Sequence, residues 1–142
     1  MQLPFANLQV KHWNPGATEP LILPVHVVCN TSDDDLHRNI RTNAARPRQI
    51  MRRWVKSEDA HTGVAVLVGS GPSLAESLAE IKAHAEAGHT IFAMNGAASF
   101  LAGHGITADY QVMIDPREAT AQLVGPARDH LIASQCHPAV FE

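Results

Sequence analysis

The chain has 142 residues, 45% of them hydrophobic and 18% charged, a balance that suits one domain with its own core and excludes disorder throughout. Its net charge of −3 hides a basic block: Arg38, Arg41, Arg46, Arg48, Arg52, Arg53 and Lys56 stand with no acid between Arg38 and Lys56, and the rest of the chain is acidic. No apolar run nears the ~20 residues of a membrane span, no basic and then apolar leader opens the chain, and Cys29 and Cys136 lack the spacing of a disulfide framework or zinc ribbon. These features predict a cytoplasmic protein with free thiols and no membrane partner. Basic side chains at helical spacing more often face solvent or pair with acids than bind nucleic acid, so nucleic acid is not expected as a partner.

Residues 1 to about 30 carry Pro4, Pro15, Gly16, Pro20 and Pro24, which predict an irregular arm with one short strand over 25–29. Thr31, Ser32 and Asp33 supply caps for a helix through Leu36 and Ile40, and Pro47 starts another that carries Ile50, Met51, Trp54 and Val55. Residues 1–62 thus form an N-terminal arm and helical preface to a core over 63–142. There the apolar run 64–68, bounded by glycine, has the length and composition of a strand buried on both faces. Leu74, Leu78, Ile81 and Ala85 recur at helical intervals, predicting a helix over 72–87 with Gly88 at its C-terminus. Strand 90–94, a small-residue helix over 97–102, strand 110–114, a helix over 117–124 and strand 130–134 complete the order. Such alternation demands parallel strands with right-handed crossovers. The fold class is therefore α/β, a Rossmann-like open parallel sheet with flanking helices. The sequence leaves strand 130–134 without a following element to cover it, which predicts an incomplete domain, part of a longer polypeptide or a homo-oligomer. The arm residues Leu3, Phe5, Leu8 and Trp13 are the candidates for such packing.

Three turns carry polar groups at the carboxyl ends of the predicted strands. Gly69, Ser70, Gly71, Pro72 and Ser73 join the first strand to its helix; the glycines allow close approach of a phosphate, and free N–H groups with the positive helix end attract anions. The turn is neither GxGxxG, since Leu74 takes the last glycine's place, nor a P-loop, since no lysine follows. It reads equally as a tight turn with Ser73 and Glu76 as a capping box. Asn95, at the end of the second strand, is a candidate reader of a ribose, base or phosphate, or a turn residue whose amide satisfies nearby backbone. Asp115, at the end of the third, can hold Mg²⁺ against phosphates, or cap the helix that Pro116 begins with Glu118 completing the box. His137 follows the fourth strand and is available as an acid, base or phosphate donor. In a parallel sheet these ends share one edge, and ligands bind there where the strand order reverses. Asp109 precedes its strand and is assigned to the opposite edge as a cap or turn residue.

The residues 66–74 (VLVGSGPSL), Ala93-Met94-Asn95 and the segment 105–116 from Gly105-Ile106 through Ile114-Asp115-Pro116 resemble, in that order, the 6-hydroxymethylpterin diphosphokinase MptE-like family. That family includes archaeal pterin diphosphokinases, flagellin-glycosylation accessory proteins of the motility accessory factor type and many phage or prophage proteins of unassigned role. A more distant similarity links the glycine turn and the following Asn to bacterial sialyltransferases that use a CMP-sugar. The resemblance covers about residues 63–138. It implies that Gly69, Ser70, Gly71, Pro72 and Ser73 face nucleotide phosphates, that Asn95 and Asp115 line the same crevice, and that ATP or a nucleotide sugar with Mg²⁺ serves as cofactor. Relatives continue with further strands and helices that complete the acceptor pocket, which this sequence lacks. Two functions follow: a nucleotide-dependent transferase of diphosphokinase or glycosyltransferase-like type, acting on a small-molecule acceptor with Asp115 and His137 as catalytic candidates, or a non-catalytic phage or prophage-type binding or assembly protein.

Overall fold

The computed structural model describes residues 5–12, 15–16, 18–28, 31–46 and 63–142. The N-terminal segment is a hairpin and not an irregular arm: β1 (Phe5–His12) pairs antiparallel with β2 (Leu21–Val28). Asn7, Leu8, Gln9, Val10 and Lys11 alternate polar and apolar, the period of a strand. Pro24, which suggested a break, sits inside β2 opposite Gln9, as a strand with a free edge tolerates. Cys29 and the helix anticipated from Pro47 lie outside the described residues, as do Leu3 and Trp13.

Helix α1 (Asp33–Ala44) begins as expected, with the Ser32 hydroxyl accepting the Asp35 N–H and three aspartates in the first turn. Its inward face is polar. Ile40 is exposed, whereas Asn39 is only 2% exposed.

The core sheet contains β3 (Ala65–Val68), β4 (Thr90–Met94), β5 (Ala108–Met113) and β6 (Ala127–Ile132), all parallel and in the order β3-β4-β5-β6. Each crossover steps the same way, so right-handed connections set α2 (Leu78–Glu86), α3 (Ala97–Gly103) and the turn before β6 on one face. Burial follows. Val68, Ile91 and Ala93 pack with Leu74, Ile81 and Leu101 in the main core, while Leu67, on the other face, is 69% exposed and Phe92 stacks on Tyr110 at 4.9 Å. Among the described strands the order never reverses, so the anticipated switch-point crevice between them is absent; a reversal would require a strand on the free edge of β3.

Both helices behind the sheet end in the same way. Gly88 (φ +78°) and Gly105 (φ +76°) take the left-handed conformation one residue past the cap. The next N–H in each case, that of His89 or Ile106, reaches back to the carbonyl of His84 or Leu101. Ile106 and Leu101 are both buried, supplying the apolar contact that accompanies such a stop.

Several local boundaries differ from the sequence expectation. The helix expected over 72–87 divides into a 3-10 turn, Pro72–Leu74, and α2, because the Ser73 carbonyl accepts the N–H groups of both Glu76 and Ser77. Gly71, not Ser73, is the first cap, and no side-chain cap bond forms there. The helix over 117–124 is a 3-10 segment, Glu118–Leu123, in which the buried Thr120 hydroxyl bonds the carbonyls of Asp115 and Arg117. β5 and β6 begin two and three residues earlier than expected, taking in Asp109 and the exposed Arg128 and Asp129 of an edge strand.

Candidate functional site

The register aligns Val68 with Ala93, Met94 with Val112 and Met113 with Ile132, so the segments after β3, β4, β5 and β6 emerge along one edge. Gly69 to Ser73, Asn95, Asp115 and His137 all belong to this carboxyl edge. Strand spacing puts the glycine turn about 10 Å from the Asp115 turn and about 14 Å from the segment after β6. The first three candidates form one neighbourhood and His137 stands at its far end.

The glycine turn is exposed. Gly71 has φ −72°, neither Gly69 nor Gly71 has a positive φ, and a Cβ built at either meets nothing within 4 Å. Neither backbone conformation nor internal packing therefore demands glycine at these two positions. Among the described residues the hydroxyls of Ser70 and Ser73 make no hydrogen bond, and the anticipated capping box is not formed. A groove of about 420 Å³ opens beside β3 and α2, bounded by Gly69, Gly71, Ser73, Leu74, Glu80 and His84 among others.

Asn95 is the only non-glycine residue with positive φ (49°) among the described residues. Asparagine tolerates this region best of the ordinary residues, but the side chain does not repair the turn: its Oδ1 is buried with no partner. The backbone is secured instead, the N–H donating to the Val112 carbonyl and the carbonyl accepting from Gln111. Gln111 is fully buried. Its amide donates to the carbonyls of Asn95 (2.8 Å) and Leu123 (2.7 Å), and its oxygen accepts the Gly125 N–H. The side-chain amide of Asn95 is thus left unspent at a strained position, the combination that accompanies ligand sites.

Asp115 does not form the predicted cap. Its Oδ1 accepts the Arg117 N–H at 3.0 Å, and its two oxygens accept Nε (3.0 and 3.1 Å) and Nη2 (2.5 Å) of the Arg117 guanidinium. That hydrogen bonding holds the Asp115 carboxyl below the usual carboxylate range and the guanidinium above its own. The surrounding loop is tied carbonyl by carbonyl: Ile114 accepts from Gln135, Asp115 from Thr120, Pro116 from Asn39, and Arg117 from Thr120. α1 and the residue just past its C-cap extend this bracing to the next loop, where Asn39 also bonds the Gln135 carbonyl, Asn43 those of Ser134 and Cys136, and Arg46, beyond the helix, that of Pro138.

His137 caps the 3-10 turn Pro138–Phe141, its Nδ1 accepting the Ala139 N–H, which places the proton of the neutral ring on Nε2. Cys136 is buried and free; its thiol donates to the Met113 carbonyl, and burial pushes its pKa up. Asp109 lies at the opposite edge as expected, accepting the Ile91 N–H and pairing with Arg128.

Mg²⁺ at Asp115 can be judged by the donors present. Mg²⁺ can be held by a single carboxylate with phosphate oxygens, but both Asp115 oxygens are already engaged by the Arg117 guanidinium and main-chain N–H. The site as built does not fit a carboxylate-held Mg²⁺, and no step is assigned to one.

The bracing residues Asn39, Asn43, Gln111, Thr120 and Gln135 were not singled out by their sequence context. The available signals were slight: two asparagines four apart in a helix that neither favours, and one glutamine inside an apolar strand.

Comparison with known families places residues 35–140 on the profile described as 6-hydroxymethylpterin diphosphokinase MptE-like, and the chain belongs to that family. The match includes nearly all of α1, whose side chains brace the loops after β5 and β6. Comparisons with curated proteins and with solved structures give no match. Among the described residues no helix is long and apolar enough to cross a membrane.

Proposed function

We propose that the chain is a nucleotide-binding transferase domain whose glycine turn, Gly69 to Ser73, takes the phosphates of ATP or a nucleotide sugar. The observation that carries this reading is that Gly69 and Gly71 are glycines without an internal reason among the described residues: no positive φ and no packed neighbour there requires them. Their remaining use is to let an outside group approach the backbone closely, with the hydroxyls of Ser70 and Ser73 as further donors. Membership of the MptE-like family supports the same use of the turn, and Asn95, with its unpartnered amide oxygen next along the edge, is suited to read the sugar or base. The groove beside β3 has the volume of a nucleoside site. His137, with Nε2–H available, is assigned to the acceptor end of the edge.

Transfer here rests on positioning and electrostatics, as phosphoryl-type chemistry requires. Titration calorimetry of ATP, GTP, CTP, UDP-sugars and CMP-sugars into wild type and Gly71→Val provides the test. At least one nucleotide should bind wild type, and the valine should weaken it at least about tenfold by blocking approach to the backbone, with the circular dichroism spectrum unchanged. Equal affinities for the two proteins would reject the turn as the phosphate site; no binding at all would favour the non-catalytic assembly function.

A further inference from the structure

The Asp115 turn is built to present a cation, and that cation is not a metal. A guanidinium has five N–H donors in a fixed plane. Asp115 occupies the Nε–H and one Nη2–H of Arg117, leaving the Nη1 group and the second Nη2–H without a protein partner among the described residues. Those remaining donors form the outer fork of the guanidinium, the geometry that grips a phosphate with two parallel bonds. The side chain is half exposed, while its carboxylate anchor is 23% exposed. Holding a long, flexible side chain in one place ordinarily costs rotamer freedom on binding. Here the Asp115 carboxylate already holds the guanidinium in the folded protein, on a loop whose Ile114, Pro116 and Arg117 carbonyls accept side-chain donors.

We propose that Arg117 is the phosphate-binding cation of this site, and that Asp115 is its positioning residue and not a ligand to Mg²⁺. The assignment rests on the nucleotide reading above, because it supplies the cation for phosphates held at the glycine turn two strands away. It exchanges the roles that the sequence suggested: the acid was the conspicuous residue, and the arginine beside it carries the contact.

Inorganic pyrophosphate, titrated calorimetrically in EDTA and again with Mg²⁺, is the probe. Wild type should bind it in EDTA, and Arg117→Gln should lose at least about tenfold, as expected for charge-assisted bonds. Arg117→Lys, which keeps the charge without the fork, should fall between the two. Asp115→Asn separates positioning from simple charge. Removing a negative charge beside the anion should tighten binding if field alone matters, whereas loss of the anchor should weaken it about threefold or more. The Arg117 Nε–H resonance should lose its exchange protection in the same variant. Tighter binding by Asp115→Asn would overturn the positioning role. Affinity that requires Mg²⁺ and disappears with Asp115→Asn, or that survives Arg117→Gln but falls in Gly71→Val, would overturn the assignment and leave the nucleotide site standing. Failure of wild type to bind pyrophosphate in either buffer would also overturn the assignment, while the nucleotide titrations described above decide the nucleotide reading separately.

Discussion

The two halves of the carboxyl edge are made of similar residues used in opposite ways. After β5 and β6 the turns carry carbonyls outside regular structure, and many are met by side chains: Asn39 and Asn43 from α1, Arg46 just past its end, and Thr120 and Gln135 from the loops themselves. After β3 and β4 the polar side chains are not used in this way: among the described residues the exposed hydroxyls of Ser70 and Ser73 make no protein hydrogen bond, and the Asn95 Oδ1 is buried without a partner, as is the Asn43 Oδ1 in the braced half. Buried backbone groups must find partners, so the first half is explained by folding. The second half is not, and polar groups that folding does not use are the ones available to a ligand. Arg117 belongs to both halves, with a braced backbone and an open outer fork.

The most damaging substitution should be at the joint between the halves. Gln111→Leu keeps the volume of a fully buried side chain but removes the partners of the Asn95 and Leu123 carbonyls and the Gly125 N–H. At roughly 1–3 kcal/mol per orphaned group, urea denaturation should show a loss of about 4 kcal/mol. Asn39→Leu should come next, at about 3 kcal/mol, since it strands the Pro116 and Gln135 carbonyls beneath α1. By contrast, Ser70→Ala and Ser73→Ala should lie within about 0.5 kcal/mol of wild type. If they destabilised the fold as much as Asn39→Leu, the contrast would collapse and the glycine turn would be structural.

Much of this architecture was legible because it rests on apolar period and glycine placement. The runs 64–68 and 90–94 announced β3 and β4, and Gly88 marked where α2 stops. What escaped was polar. The helix through Leu36 and Ile40 is legible from its caps, but nothing in the sequence marks Asn39 as the residue it turns inward while Ile40 stays exposed; the surface under Asn39 is a pair of backbone carbonyls. The polar first half of β6 was missed for a related reason: an edge strand has no need to be apolar there, and Arg128 and Asp129 remain in water. Asp115 stands out by position, but its partner in the fold is Arg117, and no periodicity reveals that a side chain two residues on will fold back on a carboxylate.

The smallest expected effect tests that last point directly. The carboxyl of Asp115 is held below its ordinary range by the Arg117 guanidinium, so the folded protein gives up this proton more readily than the unfolded chain does. The linkage then has one sign. The pair contributes its full stability above the unfolded value of about 3.9 and loses it as pH falls through the lower folded value. Because Arg117 is half exposed, solvent screens the pair and the contribution should be small. Comparing the urea stabilities of wild type and Asp115→Asn from pH 7 to pH 3 isolates it from other titrating groups. The wild-type advantage should hold constant down to about pH 4 and then shrink. An advantage that grew on acidification would mean that the carboxyl is raised, that Arg117 does not sit on it in solution, and that the outer fork is not held ready for phosphate.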